Sequence, residues 1–425
     1  MRAALALVGA LLIGCGGGDP PAAPAPEPTE APQPTEAPAP KASTPSEPTP
    51  AAVPQPGGAY RAEALQVLSD VVDREAGKPA NAWALAHGVL AKGPAFQTTD
   101  GRRAIDVLVD DFLKAEKVEG FKGLQPYFPP TTDAGLPIEP HTDLILKTFF
   151  EVGLPLEEPL TKKPGAPTLE RLLRSSRLRH DPDVSAKGAT AFAKPDDVAW
   201  SIQAWCQAAD AGASVSWLTV SGEQEHIDTV ARQQLEMLEA ETWFMRQAME
   251  AGSTVQKRRQ GIFSFTCGGS HLFQSVAACV ATHHPGSDNA EERLQKLIDI
   301  YIWRVALETG LIEEAMKQAP KLAPVLYNQD VKFLGHFLES MGKAERDGLF
   351  TPTAEQRNLI DDAETRMLAH VLQMKRLGVY SAEKLSMWWG KDATRQFYLD
   401  VVGDACHAWN GLQIQQALRE QRGTP

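Results

Sequence analysis

The chain has 425 residues, a formal net charge of −12, 43% hydrophobic residues and five cysteines. An excess of acid argues against nucleic acid or an anionic headgroup surface as partner, because both repel an acidic protein. The length and apolar content suffice for a large buried core, and five cysteines are too few for a disulfide-built scaffold.

The first element in the chain is a leader, residues 1–14. Arg2 supplies a positive charge, and residues 3–13 form an apolar run broken only by Gly9. That run is too short to cross a bilayer, which takes ~20 apolar residues, and has the size of a signal-peptide core. Leu12-Ile13-Gly14-Cys15 resembles the lipobox of bacterial lipoproteins, with Leu three positions before the Cys and a small residue just ahead of it. The resemblance implies diacylation of Cys15, cleavage before it and acylation of the new amino terminus. More than one acyl chain makes a stable membrane anchor. Gly16 stands where inner-membrane lipoproteins often carry Asp. The same resemblance therefore implies export to the outer membrane, facing the periplasm or the cell surface.

Residues 15–58 form the second element. Fourteen of the 32 prolines lie here, and PTEAP occurs twice between positions 28 and 38. Proline at this density excludes helix and central strand and favours polyproline II. The segment reads as a disordered tether able to hold a domain up to roughly 100 Å from the lipid, at ~3.1 Å per residue.

Residues 59–425 are predicted to form one mostly helical domain. Ile105, Leu108 and Phe112 mark a helix after Thr99-Asp100. Ala231, Leu235, Leu238, Thr242, Met245 and Met249 mark a long amphipathic helix that stops near Gly252. Leu294, Leu297, Ile298, Tyr301 and Val305 mark another before Gly310. Thr353-Ala354-Glu355-Gln356 is a capping box that opens a helix ended by Gly378. Strand alternation is confined to a weak run at 214–220. Between the amphipathic helices lie segments apolar on most sides, at 83–90, 141–150, 198–209, 265–280, 331–338 and 401–414. Helices apolar all round are usually buried. The alternation predicts an all-α fold in two layers, an α/α toroid of about six helical hairpins. An open α-solenoid or an irregular helical bundle is the alternative topology.

Every buried segment carries His or Cys: His87, His141, Cys206, Cys267 with His271, His336, and Cys406 with His407. In a toroid these would converge on one central cavity. Thiolate and imidazole are zinc ligands, and a catalytic site leaves one position open. Cys267 and His271 stand at i and i+4 and would share a helix face. Cys406 and His407 are adjacent and would diverge by about 100° on a helix, so they could share an ion only at a turn or helix end. The plainer reading is packing, since buried Cys acts as a small hydrophobe and buried His needs only hydrogen-bond partners. His370 reads as packing, His283-His284 as a helix-end pair, and His180 and His226 as surface loop residues.

Ala86-His87-Gly88, then Thr266-Cys267-Gly268-Gly269, then Cys406-His407-Ala408 followed by Gly411 resemble, in the same order, the AHG, WCYG and CHG motifs of lanthionine cyclases and the eukaryotic LanC-like proteins. Those proteins are α/α toroids. The resemblance implies zinc on Cys267, Cys406 and His407, with His87 handling protons; His271 is a second candidate acid/base. Trp and Tyr are missing around Cys267, Ala408 replaces a glycine, and the gaps between motifs are longer, so the resemblance does not extend to peptide cyclisation.

Metalloprotease, dinucleotide, P-loop and nucleophile-elbow motifs are absent. Three functions remain. The first is a binding domain for an unknown protein or glycan ligand, which the missing motifs and the long tether favour. The second is a zinc-dependent enzyme at Cys267, Cys406 and His407. The third is a carbohydrate-active enzyme using a carboxylate pair. Of the adjacent acids, Asp196-Asp197 reads as complementing a helix N-terminus and Asp110-Asp111 and Asp361-Asp362 as solvated helix faces, so the spacing picks out no catalytic pair; Trp83, Trp200, Trp205 and Trp409 could line a cleft. The first predicts a cavity without converging ligands, the second a converging set, and the third two facing acids.

Overall fold

In the computed structural model the described residues are 58–180, 198–257, 260–286 and 289–423; Cys15, the tether and Asp196-Asp197 lie outside them. The chain begins with α1 (Gly58–Val71), which ends in a π turn. α2 (Ala82–Lys92) starts where the Asn81 side chain accepts from the Ala84 N–H. α3 (Ala104–Val107) also runs into a π turn. The antiparallel hairpin β1 (Lys114–Lys117) and β2 (Leu124–Tyr127) follows. Next come α4 (Leu144–Glu151), α5 (Leu169–Arg179) and α6 (Ala199–Gln207). A second hairpin pairs β3 (Ser216–Leu218) with β4 (Gln224–His226). α7 (Ile227–Glu250) and two short 3₁₀ turns lead to α8 (Ser270–Ala281) and α9 (Ala290–Gln318). α10 (Ala323–Arg346), α11 (Ala354–Arg376), α12 (Ala382–Trp389) and α13 (Asp392–Gln421) complete the chain. Among the described residues the fold is all-α, with thirteen helices and only these two short hairpins.

The six segments apolar on most sides supply α2, α4, α6, α8, α10 and α13. α2 packs on α4, α4 on α6, α6 on α8, α8 on α10, α10 on α13, and α13 returns to α2, so the cycle of contacts closes. These helices are buried nearly all round; α2 is buried from Ala82 through Ala91. The amphipathic helices lie against them. α5 covers α4 and α6, α7 covers α6 and α8, α9 covers α8 and α10, and α11 covers α10. One hydrophobic cluster runs through both sets, and each fully buried Leu, Val or Phe in it contributes ~1.5–3 kcal/mol. A Cys206–Cys279 disulfide ties α6 to α8, while Cys406 is a buried free thiol.

Two sequence expectations need correction. α9 runs on through Gly310 to Gln318, because Ile312 and Ala315 bury themselves against Leu326. That packing outweighs the ~1 kcal/mol that a mid-helix glycine costs. His180 is no surface residue: it is buried, its ring edge-on to Trp205 at 5.1 Å. The β1–β2 hairpin escapes the sequence because Lys114–Lys117 is mostly exposed and shows no apolar alternation. Among the described residues no helix is long and apolar enough to cross a membrane.

Candidate metal centre

The centre of the cycle is built from polar residues at helical spacing on otherwise apolar helices. On α10, Asn328, Lys332, His336, Glu339 and Lys343 follow one another at intervals of three or four residues and so share a face. On α13, Asp400, Asp404 and His407 do the same. α2 adds His87, α8 adds His271, and the turn before α4 adds His141.

Five imidazoles meet there, all buried. The His407 ring centre is 3.9 Å from His336 and 5.2 Å from His87. His271 is 5.4 Å from both His336 and His141. Trp83 closes one end against His87 at 4.1 Å, and Trp200 the other against His271 at 4.1 Å. His87, His141, His271 and His407, with both tryptophans, border a cavity of about 10 Å³, room for one water-sized body and not for a sugar ring.

The ring nitrogens are unevenly satisfied. His87 Nδ1 lies 2.7 Å from the Trp83 carbonyl, which only accepts, so Nδ1 carries the proton and Nε2 keeps its lone pair. His407 Nδ1 is 2.7 Å from Glu339 Oε2. Neither nitrogen of His336, nor Nε2 of His271, has a hydrogen-bond partner among the described residues. An unsatisfied buried polar atom costs ~1–3 kcal/mol. Burial holds His87, His271 and His336 well below the ordinary imidazole pKa, and their mutual proximity adds to it. They are therefore neutral at neutral pH, the form in which imidazole binds metal.

Beneath the histidines lies a layer of ions. Glu339 accepts from Lys343 at 2.5 Å and Asn410 at 3.0 Å. Lys343 also reaches Glu151 at 2.6 Å, and Lys147 lies 2.7 Å from the same carboxylate. Burial alone would raise the Glu339 pKa, but Lys343 and His407 overcome it and hold the group well below the carboxylate range. Above the histidines, Lys332 lies 3.7 Å from Asp400 and 4.0 Å from Asp404, which accepts from Asn328 at 2.7 Å.

Two groups have ligand-type atoms mutually within 4.8 Å: His336, Glu339 and His407, and Cys267, His271 and His336. Cys267 is disulfide-bonded and offers no thiolate, contrary to its expected role as a zinc ligand, so the first group is the one able to hold an ion. The structure thus gathers Cys267, His271 and His407, with His87 beside them. It does not bring Cys406 into either set. Cys406 lies mid-helix on α13, so its thiol diverges from His407, toward Asp404, Asp73 and Lys92. Burial drives that thiol's pKa up, past the opposing pull of Lys92, and keeps it protonated. Cys267 and His271 come together for a reason other than the predicted shared helix face. Cys267 precedes α8, in a turn with φ 49°, and the turn carries it back toward His271. Trp205 donates to Ser176, and Lys92 covers Trp409, both away from the cavity. Asp110, Asp111 and Asp361 engage Thr161, Arg102 and Arg419 outside it. Sequence reading passed over Glu339, Lys343, Lys147 and Glu151, although the polar spacing on α10 was available to it.

No protein-family model, curated protein or solved structure matches the chain.

Proposed function

We propose that the chain is an exported lipoprotein, anchored through Cys15, whose domain is an α/α toroid with a catalytic zinc centre on its axis at His336, Glu339 and His407. The observation that carries this reading is His336: it is buried, lacks a hydrogen-bond partner on both ring nitrogens among the described residues, and has donor atoms of Glu339 and His407 within 4.8 Å. Zinc held by His336, Glu339 and His407 would take the lone pair of one His336 nitrogen and so satisfy one of the two unpartnered atoms. Two His and one Glu form a three-ligand set that leaves a fourth position for water, as catalytic zinc sites do. For His407 and Glu339 to hold one ion together, the 2.7 Å contact between them would have to give way to the ion. Bound zinc would lower the pKa of its water toward neutrality. Neutral His271 and His87, the two acid/base candidates, line the cavity beside His407. Lys343 and Asn410 hold the Glu339 carboxylate in place.

A binding domain without chemistry leaves five buried imidazoles without a purpose, and a sugar does not fit the cavity. The closed cycle of contacts and the order of the three short motifs support the toroid. The lipobox residues and the Cys206–Cys279 bond, which forms in oxidising compartments, support export.

Metal analysis of the purified full-length protein tests the site. About one zinc per chain is expected, lost in His336→Gln and in His407→Gln and retained in Cys406→Ala. Loss in Cys406→Ala would restore the thiolate set. Absence of zinc, even after incubation with the ion, would end the metal reading and leave a tethered binding domain.

A further inference from the structure

A second cavity, about 40 Å³, lies on the other side of the Cys267–Gly268 turn and is bordered by Lys257, Arg304 and Lys332. Cys267 lines both this space and the histidine cavity. Arg304 is 2% exposed, and its guanidinium is held firmly. Nε donates to Glu308, Nη1 donates to the Gly268 carbonyl at 2.6 Å, and the rings of Phe263 and Phe333 lie 5.4 and 5.3 Å away. Nη2 has no hydrogen-bond partner among the described residues. Glu308 is also the partner of Lys257, so one carboxylate on this cavity serves two cations. Among the described residues Lys332 makes no hydrogen bond, and Asp400 and Asp404 lie 3.7 and 4.0 Å from it. On the lining of this cavity three cations face one carboxylate, the two aspartates belonging to the histidine cavity.

The backbone is shaped around the guanidinium. Cys267, Gly268 and Gly269 are three consecutive residues with positive φ, at 49°, 61° and 76°. A non-glycine residue in that region costs ~1–3 kcal/mol, a strain found mainly at functional sites. A Cβ at Gly268 would lie 2.4 Å from Arg304 Nη2, so only glycine lets the arginine reach its place.

We propose that this cavity binds an oxyanion, the carboxylate or phosphate group of a small ligand, through Arg304 Nη2 with Lys257 and Lys332. A planar fork with a spare donor and two flexible ammonium groups matches such a group. The space takes the anionic head alone and leaves the rest of the ligand outside it. The anion site stands without any metal. Its assignment as the place where a substrate's anionic end is held rests on the zinc reading.

Calorimetric titration of the full-length protein with inorganic phosphate and with acetate tests it, at fixed ionic strength, both after chelation and after zinc loading. Saturable one-to-one binding of at least one anion is expected in both states, and the anion preferred distinguishes phosphate from carboxylate. Binding should weaken at least ~tenfold in Lys257→Gln and in Arg304→Lys and stay unchanged in Lys375→Gln on the surface. No saturable binding of either anion overturns the proposal. So does unchanged affinity in Lys257→Gln, which decides the matter if Arg304→Lys does not fold. Anion binding by a protein that takes no zinc would leave this site standing and remove the zinc reading; zinc without anion would do the reverse.

Discussion

His336 shows what a single residue can and cannot announce in a sequence. It was one of ten histidines, and only the packing of α8, α10 and α13 separates it from His370, which pairs with Asp330 at 2.9 Å. His407 comes to lie beside His336, whereas its neighbour Cys406 points elsewhere, because adjacent residues on a helix diverge. The burial of His336 has a consequence in acid. Its folded pKa lies below the ordinary 6.5, from burial first and then His407, while Glu339 pulls upward and Lys332 and Lys147 push down. Below pH 6.5 the unfolded chain takes up a proton at this position that the native chain refuses. The stability tied to the neutral ring is therefore complete above 6.5 and is lost as pH falls toward the folded value. One such proton is worth ~1.4 kcal/mol per pH unit. Denaturant unfolding of metal-free protein at pH 7, 6 and 5 should show a shallower loss in His336→Gln than in the unaltered chain, by up to that amount per unit. Equal slopes would mean that the imidazole is not buried neutral.

Helices that carry one pattern were legible, and helices that carry two were not. α11 has a single apolar stripe and a capping box, in which Thr353 accepts from the Gln356 N–H and Gln356 from the Thr353 N–H. Both could be read from residue types and spacing. α10 was read only through its apolar residues, as 331–338, although the helix runs from Ala323 to Arg346. Its polar row of Asn328, Lys332, His336, Glu339 and Lys343 points inward, the reverse of an ordinary amphipathic helix. A search for apolar periodicity discards that row. The two kinds of helix predict separable defects. Thr353→Ala removes a cap from a helix that supplies no ligand. It should lower stability by ~1 kcal/mol in denaturant unfolding while zinc content stays that of the parent. A loss of zinc in this variant would show that the outer helices position the centre more directly than their contacts indicate.

At the scale of the whole molecule, the six buried segments were visible as composition, but the closing of their cycle was not. Closure depends on α13 meeting α2, roughly 300 residues earlier in the chain, and no local pattern encodes a contact of that separation. The seam is a shape fit: the Trp83 ring sits where Gly403 has no side chain, and a Cβ there would lie 2.4 Å from the ring. Tyr398 strengthens the seam through its hydroxyl, 3.2 Å from Glu75. Gly403→Val therefore pushes α13 off α2 without touching α10. Overpacking of this kind costs ~1–3 kcal/mol. Because one hydrophobic cluster spans both helix sets, the loss should appear as an earlier single transition, coincident by circular dichroism and by tryptophan fluorescence. Zinc should remain at one per chain, since the contact displaced is with the Trp83 ring on α2, a helix that supplies none of the three ligands. A folded Gly403→Val protein that has lost its zinc would mean that the ion is shared across the seam and that His87 is a ligand. Unchanged stability would mean that the Trp83–Gly403 contact does not hold the cycle closed.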